Sequence, residues 1–93
     1  MSVTWRPVAS TDVRRIITHI ADENPIAARR VAQELFVAGA SLAVFPHRGR
    51  RGRTQGTREL VAVQPYIIVY EIDRDAVTIL RVWHAAQARG ETY

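Results

Sequence analysis

The side chains that could perform acid–base chemistry lie mostly in the second half of the sequence. Cleavage of RNA without a metal needs a general base at the 2′-hydroxyl, an acid at the leaving oxygen and cations on the phosphate. The residues of suitable type are one carboxylate, one imidazole, two phenols and two guanidinium groups: Glu59, His84, Tyr66, Tyr70, Arg58 and Arg81. Each also has a structural alternative, such as an ion pair between Arg81 and Glu71 on adjacent strands or core positions for the tyrosines. The residue pattern therefore supports no specific catalytic assignment.

Other kinds of chemical site have even less support. The sequence contains no cysteine, which excludes disulfides, thiolate zinc sites and cysteine nucleophiles. His19, His47 and His84 are far apart and form no spaced ligand pair for a metal. The glycine-containing run at residues 48–53 lacks the lysine and the following serine or threonine of a phosphate-binding P-loop. We expect no metal and no cofactor.

The positive charge is concentrated in one segment. All 13 basic residues are arginines, and the net charge is +4. Residues 45–58, called the basic segment below, contain no acid and carry five of these arginines: Arg48, Arg50, Arg51, Arg53 and Arg58. The other eight arginines are outnumbered by nine acids. Such a segment is expected to bind an anionic partner. Because it contains a single aromatic residue, Phe45, it has little with which to stack RNA bases, and an acidic protein is the favoured partner.

Length and composition are those of one small folded domain covering residues 1–93. The 93 residues are 47% hydrophobic and 24% charged, values typical of a globular protein rather than a disordered one. No apolar run approaches the roughly 18 residues that span a membrane, and no secretory signal pattern is present. We therefore expect a cytoplasmic protein without a membrane partner.

The first half of the sequence predicts a strand followed by two helices. Alternation around Val3 and Trp5 predicts a short strand, and Ser10, Thr11 and Asp12 are candidate caps for the first helix. That helix carries an apolar face formed by Val13, Ile16, Ile17 and Ile20.

Asn24 and Pro25 predict the start of the second helix, which we expect to end near residues 45–46. Its apolar stripe contains Ala28, Val31, Leu35, Ala38 and Leu42, and is expected to include Phe36 and Val44. Gly39 within it permits close packing. The short link predicts an antiparallel helical hairpin.

The second half predicts a loop and three strands. Glycines and arginines without apolar periodicity indicate a loop at residues 47–56, and β-type runs follow at residues 60–63, 66–72 and 76–83. The short connections make these strands an antiparallel meander. The predicted fold is therefore an α+β domain of two layers, a βααβββ arrangement in which the helical hairpin covers a sheet.

Four sequence blocks resemble the ParE branch of the RelE/ParE toxin superfamily. They are GRRGR at residues 49–53, GTRELV at 56–61, PYIIVY at 65–70 and ILRVWH at 79–84, in the family's order and spacing. The resemblance implies the same βααβββ fold and a toxin of a type II toxin–antitoxin module. ParE-like toxins inhibit DNA gyrase by direct binding, and a ParD-like antitoxin neutralises them with an acidic C-terminal segment.

The RelE branch instead cleaves mRNA on the ribosome, and the sequence departs from its pattern. Where that branch carries an arginine after the tyrosine of the central strand, this chain has Ile67, and near its second basic position it has Ala85 and Ala86. His84 or Tyr93 could stand for its catalytic residue, but the cations are missing. We therefore expect a gyrase inhibitor that is not an enzyme, with a ribonuclease or a diverged, inactive toxin as alternatives.

The resemblance and the charge pattern together give two sets of binding residues. For the target we expect Arg50, Arg51, Arg58, Trp83, His84 and Arg89, with Trp83 as an exposed anchor whose alternative is core burial. For the antitoxin we expect Arg48, Arg50, Arg51, Arg53 and Arg58. We expect the protein to contact nucleic acid only indirectly, through gyrase or the antitoxin. The polar tail at residues 88–93 departs from a typical ParE sequence.

Overall fold

The computed structural model describes residues 1–87, which form two helices and five strands. In chain order they are β1 (Ser2–Trp5), α1 (Pro7–Glu23), α2 (Pro25–Ser41), β2 (Arg50–Arg51), β3 (Thr57–Val63), β4 (Tyr66–Asp73) and β5 (Ala76–His84). The predicted α+β arrangement is confirmed, with the addition of β2, a two-residue strand inside the segment predicted as a loop. Neither described helix is long and apolar enough to cross a bilayer.

The five strands form one mixed sheet in the order β1-β5-β4-β3-β2. The antiparallel meander predicted for the last three strands is confirmed, since β4 pairs antiparallel with both β3 and β5. β1 pairs parallel with β5, aligning Ser2 with Ala76 and Trp5 with Ile79. β2 pairs antiparallel with the start of β3. The first strand therefore closes one edge of the sheet and the basic segment closes the other.

The helices bury one face of this sheet. The stripe predicted on α2 is buried at Val31, Leu35 and Ala38, and it packs with sheet residues that include Ile68 and Val77. A second, smaller cluster of buried residues contains Ile67, Val69 and Leu80. In the strand register, Ile67 and Val69 alternate with the core residue Ile68, so this second cluster lies on the opposite face of the sheet.

The helix boundaries differ from the predicted ones in two places. α1 begins at Pro7, after an extended Arg6 that makes no side-chain cap, because the fixed φ of proline suits the first helical position. Ser10, Thr11 and Asp12 therefore lie inside the helix and do not cap it. The predicted Asn24 cap is confirmed, since its side-chain oxygen accepts a hydrogen bond from Ala27 N at 3.1 Å. α2 ends at Ser41, four residues before the predicted end.

Two apolar residues assigned to the inner stripe lie outside the core. Phe36 is 53% exposed and Val44 is 71% exposed, so their assignment to the buried stripe is wrong. Phe36 instead packs against Trp5, with the ring centroids 5.5 Å apart. The close packing predicted at Gly39 is confirmed, because a Cβ there would collide with the Trp5 ring and lie 3.2 Å from Ile79 Cδ1. β1 is therefore held against α2 as well as against β5.

Candidate functional site

Tyr70 fixes the start of the basic segment. This buried phenol donates a hydrogen bond to Pro46 O at 2.7 Å and accepts one from Gly49 N at 2.9 Å. Gly49 has no space for a side chain, since a Cβ would lie 2.8 Å from both Glu59 O and the Tyr70 hydroxyl. Both hydrogen-bonding functions of the Tyr70 hydroxyl thus have structural partners, which supports the core alternative over a catalytic role.

The base of the segment is held by charged side chains. Arg58 is half-buried and donates from Nη1 to Gly49 O at 2.7 Å. Glu59 is 3% exposed and pairs with Arg50 at 3.2 Å, while its other oxygen accepts from Arg53 N at 3.4 Å. The carboxylate that follows the basic segment therefore offsets one of its five arginines.

Four of the five arginines of the segment are exposed to solvent. Arg48, Arg50, Arg51 and Arg53 are exposed, and Arg48 donates to Ser41 Oγ at 2.8 Å. A cleft of about 530 Å³ is lined by basic and polar residues that include His47, Arg51, Thr54, Gln55 and Arg58. The structure thus brings all five expected antitoxin-binding residues together at one edge of the sheet.

The aromatic residue at the end of β5, which was expected to be an exposed anchor, is buried. Trp83 is 6% exposed, so the expectation that it is exposed is wrong and the core alternative describes its position. Its ring lies under the guanidinium of Arg81, 4.8 Å from centroid to Cζ. A tryptophan that is only 6% exposed offers a target very little surface in the structure described here.

Arg81 pairs with a residue that the sequence did not suggest. It binds Asp12 in a bidentate manner, at 2.8 Å from Nε and 3.0 Å from Nη2, and Asp12 also accepts from Val82 N at 3.0 Å. The expected partner, Glu71, lies opposite Thr78 instead. Asp12 is buried, and nothing local in the sequence marks it, because its partners are about 70 positions away.

A cleft of about 430 Å³ lies between α1 and the adjoining ends of β4 and β5. Its lining includes Arg15 and His19 from α1, Tyr66 and His84 from the paired strand ends, and Gln87. The rings of Tyr66 and His84 meet edge to face, with centroids 5.6 Å apart. His84 Nδ1 accepts a hydrogen bond from Ala86 N at 3.1 Å.

The six residues considered for RNA cleavage therefore fall into two groups. Tyr66, Arg81 and His84 line the cleft beside α1, whereas Arg58, Glu59 and Tyr70 hold the basic segment. Tyr66 and Tyr70 are four residues apart on one strand, a separation of about 13 Å. The carboxylate and the imidazole are thus not arranged as an acid–base pair.

The two positions compared with the RelE pattern lie in different surroundings. Ile67 is 4% exposed and belongs to the second apolar cluster with Val69 and Leu80. Ala85 and Ala86 are exposed after the end of β5. Among residues 1–87 no group of three histidine or acidic side chains could hold a metal ion. Arg89 and Tyr93 lie outside the described residues.

Residues 3–89 match the family described as the ParE toxin of the type II toxin–antitoxin system parDE. Among individual proteins, the chain is 44% identical over 84 residues to Toxin RelE2 of Caulobacter vibrioides, covering 90% of this chain and 92% of the relative. It is 34% identical over 85 residues to Toxin RelE1 of the same organism, covering 87% and 89%. These relatives extend over the helices and the sheet alike.

Solved structures share the fold. A chain from the chromosomal ParDE toxin–antitoxin system of P. aeruginosa superposes with a TM-score of 0.81 at 23% identity, covering 90% of this chain and 95% of that one. A copper-bound mutant toxin from Helicobacter pylori gives a TM-score of 0.62 at 15% identity, covering 94% and 97%. With the family match over residues 3–89 and the two curated relatives, these likenesses show that the chain belongs to the ParE toxin family of type II toxin–antitoxin systems.

Proposed function

We propose that this toxin acts in the cytoplasm by binding DNA gyrase and that it does not cleave RNA itself. The observation that carries the proposal is the surroundings of Ile67, which packs with Val69 and Leu80. Phosphate cleavage needs preorganised cations at the reacting group, and an apolar cluster supplies none. Inhibition by binding requires only an exposed surface that complements the target.

The exposed arginines of the basic segment are the surface that we assign to gyrase. Arg50 and Arg51 project from β2, and Arg58 lies beside them on β3, opposite Arg51 in the strand register. His84 and Arg89 remain assigned to the target on sequence grounds. Trp83 is buried in the free protein. It would contact the target only after the groups that cover its ring have moved.

We further propose that a ParD-like antitoxin binds the same basic segment through an acidic C-terminal segment. Arginine suits such an interface, because its planar guanidinium forms two parallel hydrogen bonds to a carboxylate. At the same edge Arg50 already pairs with a carboxylate, through one contact of 3.2 Å between its Nη2 and Glu59 Oε1. Since Arg50, Arg51 and Arg58 are assigned to both partners, neutralisation would follow from simple occlusion of the target surface.

A supercoiling assay with purified gyrase, relaxed plasmid and ATP tests the target. We expect the toxin to inhibit supercoiling, and Arg51→Gln to weaken inhibition on the order of tenfold because a charged contact is lost. Arg14→Gln on the exposed side of α1 is the matched control and should inhibit like the parent. Full gyrase activity at saturating toxin would overturn the proposal.

The second candidate function is cleavage of ribosome-bound mRNA. The observation that favours it is the shared cleft of Tyr66, Arg81 and His84, together with the similarity to toxins RelE1 and RelE2. In that case pure toxin would cut ribosome-bound mRNA at codon-spaced positions, and His84→Gln would abolish the cuts. The two assays separate the candidates, because a gyrase binder leaves the message intact.

A further inference from the structure

The cleft beside α1 has the size and composition of a small-molecule site. Its volume of about 430 Å³ is within the usual range for ligand pockets. Ile16 and Val82 supply apolar walls, and polar side chains from both α1 and the strand ends converge on the space. The surface assigned to gyrase is mainly the basic segment, so the cleft can hold a ligand of its own.

The carboxylate in the cleft is already satisfied by protein groups. Both oxygens of Asp12 are bound by Arg81, and one of them also accepts from Val82 N. The pair carries no net charge. The next acids of α1, Asp22 and Glu23, lie at the C-terminal end of the helix. An anion entering the cleft would therefore meet no uncompensated carboxylate among its lining residues.

The other polar groups that line the cleft can all donate hydrogen bonds. Arg15 contributes a permanent positive charge, and Gln87 contributes an amide. His84 accepts from Ala86 N at Nδ1, so a neutral ring holds its proton on Nε2 and can donate it. His19 lies one turn after Arg15 on α1 and lines the same cleft. This set favours an acceptor-rich, negatively charged group.

The aromatic pair adds a preference for a flat organic group. Tyr66 and His84 are half-buried and pack edge to face at the cleft wall. Aromatic side chains beside a cation are a common way to hold a nucleobase next to its phosphate. We propose that this cleft binds a nucleotide-type phosphate ester, with the phosphate at Arg15 and His84 and the base against Tyr66.

The proposal is tested by calorimetric titration of the full chain with adenosine monophosphate, inorganic phosphate and adenosine. The monophosphate is expected to bind most tightly, since it alone offers both the anion and the base. Arg15→Gln should weaken its binding on the order of tenfold or more, the effect of losing one charge-assisted hydrogen bond. Arg14→Gln removes an equal charge from the adjacent position and should bind like the parent.

Further arms of the titration identify the source of the phosphate ester. Binding of a short 5′-phosphorylated oligodeoxynucleotide in preference to the monophosphate would indicate a nucleic-acid end, and the reverse would indicate a free nucleotide. Arg15 is exposed, so Arg15→Gln should melt like the parent. The proposal fails if adenosine binds as well as its monophosphate, if no ligand binds at millimolar concentration, or if both arginine variants weaken binding equally. None of these outcomes depends on gyrase.

Discussion

Asp12 joins the first helix to the last strand at a single residue. β1 pairs with β5 only as far as Ile79, so the β5 backbone beyond that point lacks a strand on this side. The Asp12 carboxylate takes the place of a strand there by accepting from Val82 N, and it also neutralises Arg81. One side chain therefore satisfies a backbone donor and a partly buried charge.

Replacement of Asp12 by alanine should therefore be strongly destabilising. The change removes the carboxylate that binds the Arg81 charge and the Val82 N–H, and we expect a loss of about 2–4 kcal/mol. In a protein of this size that lowers Tm by roughly 10 °C or more, measurable by thermal melting. Asp22→Ala, at the exposed end of the same helix, is the control and should stay within about 0.5 kcal/mol. Equal melting of the two variants would contradict the assigned role.

The Tyr70 hydroxyl should contribute to stability through the basic segment. Tyr70→Phe keeps the ring but leaves Pro46 O and Gly49 N without the hydroxyl that bridges them. We expect a cost of about 1–3 kcal/mol in urea unfolding, because at least one buried polar group becomes unsatisfied. Tyr66→Phe, on the same strand, is the matched control and should cost less. A variant at Tyr70 that is as stable as the parent would mean that water replaces the hydroxyl.

At the scale of the elements, the packing of β1 against α2 depends on the absence of a side chain at Gly39. Gly39 lies where the Trp5 ring crosses the helix, and the space is too small for a methyl group. Two effects of Gly39→Ala oppose each other. Alanine favours the helix by about 1 kcal/mol, whereas the collision forces Trp5 to move at a cost of about 1–3 kcal/mol.

We expect the collision to dominate, so that Gly39→Ala is less stable than the parent in chemical unfolding. The fluorescence of Trp5 should change at the same time, since its ring must shift. Double replacement with Trp5→Leu removes the obstacle and should recover most of the loss. A stabilised single variant would show that the ring yields without cost.

The elements also show which parts of the fold and of the site the sequence could predict. Asn24, Pro25 and the continuous apolar run along β4 are local signals, and they predicted a helix start and a strand correctly. The parallel pairing of β1 with β5 and the bond of Asp12 to Arg81 join positions about 70 residues apart. No local pattern encodes such contacts. The sequence alone identified the five arginines of the basic segment, because the charge of a segment can be read from its composition. The cleft beside α1 could not be predicted in this way, because it exists only after folding.

At the scale of the whole molecule, the uneven charge predicts how the toxin meets its antitoxin. Four exposed arginines and Arg58 lie at one edge, where Glu59 pairs with Arg50. We expect association with an acidic antitoxin segment to slow as salt rises, because attraction between charges is screened over about 8–10 Å at physiological salt. Stopped-flow mixing from low to moderate ionic strength measures this.

The same experiment has a matched pair of variants. Arg51→Gln should lower the association rate and flatten its dependence on salt, while Arg14→Gln, far from the basic segment in sequence, should change both much less. An association rate that does not depend on ionic strength would rule out electrostatic steering by the arginines at this edge. It would leave apolar contacts as the basis of recognition.

The parallel pairing of β1 with β5 also sets an order of events during translation. Ala76 leaves the peptidyl-transfer centre 74 residues after Ser2, which at 5–20 residues per second is roughly 4–15 s. Until then, β1 has no strand to pair with, and Asp12 has no Arg81. Nascent chains arrested before Ala76 should therefore be readily digested by protease, and those arrested well beyond His84 should resist it. The cell that translates this message is thus exposed to the folded toxin only after β5 has been synthesised.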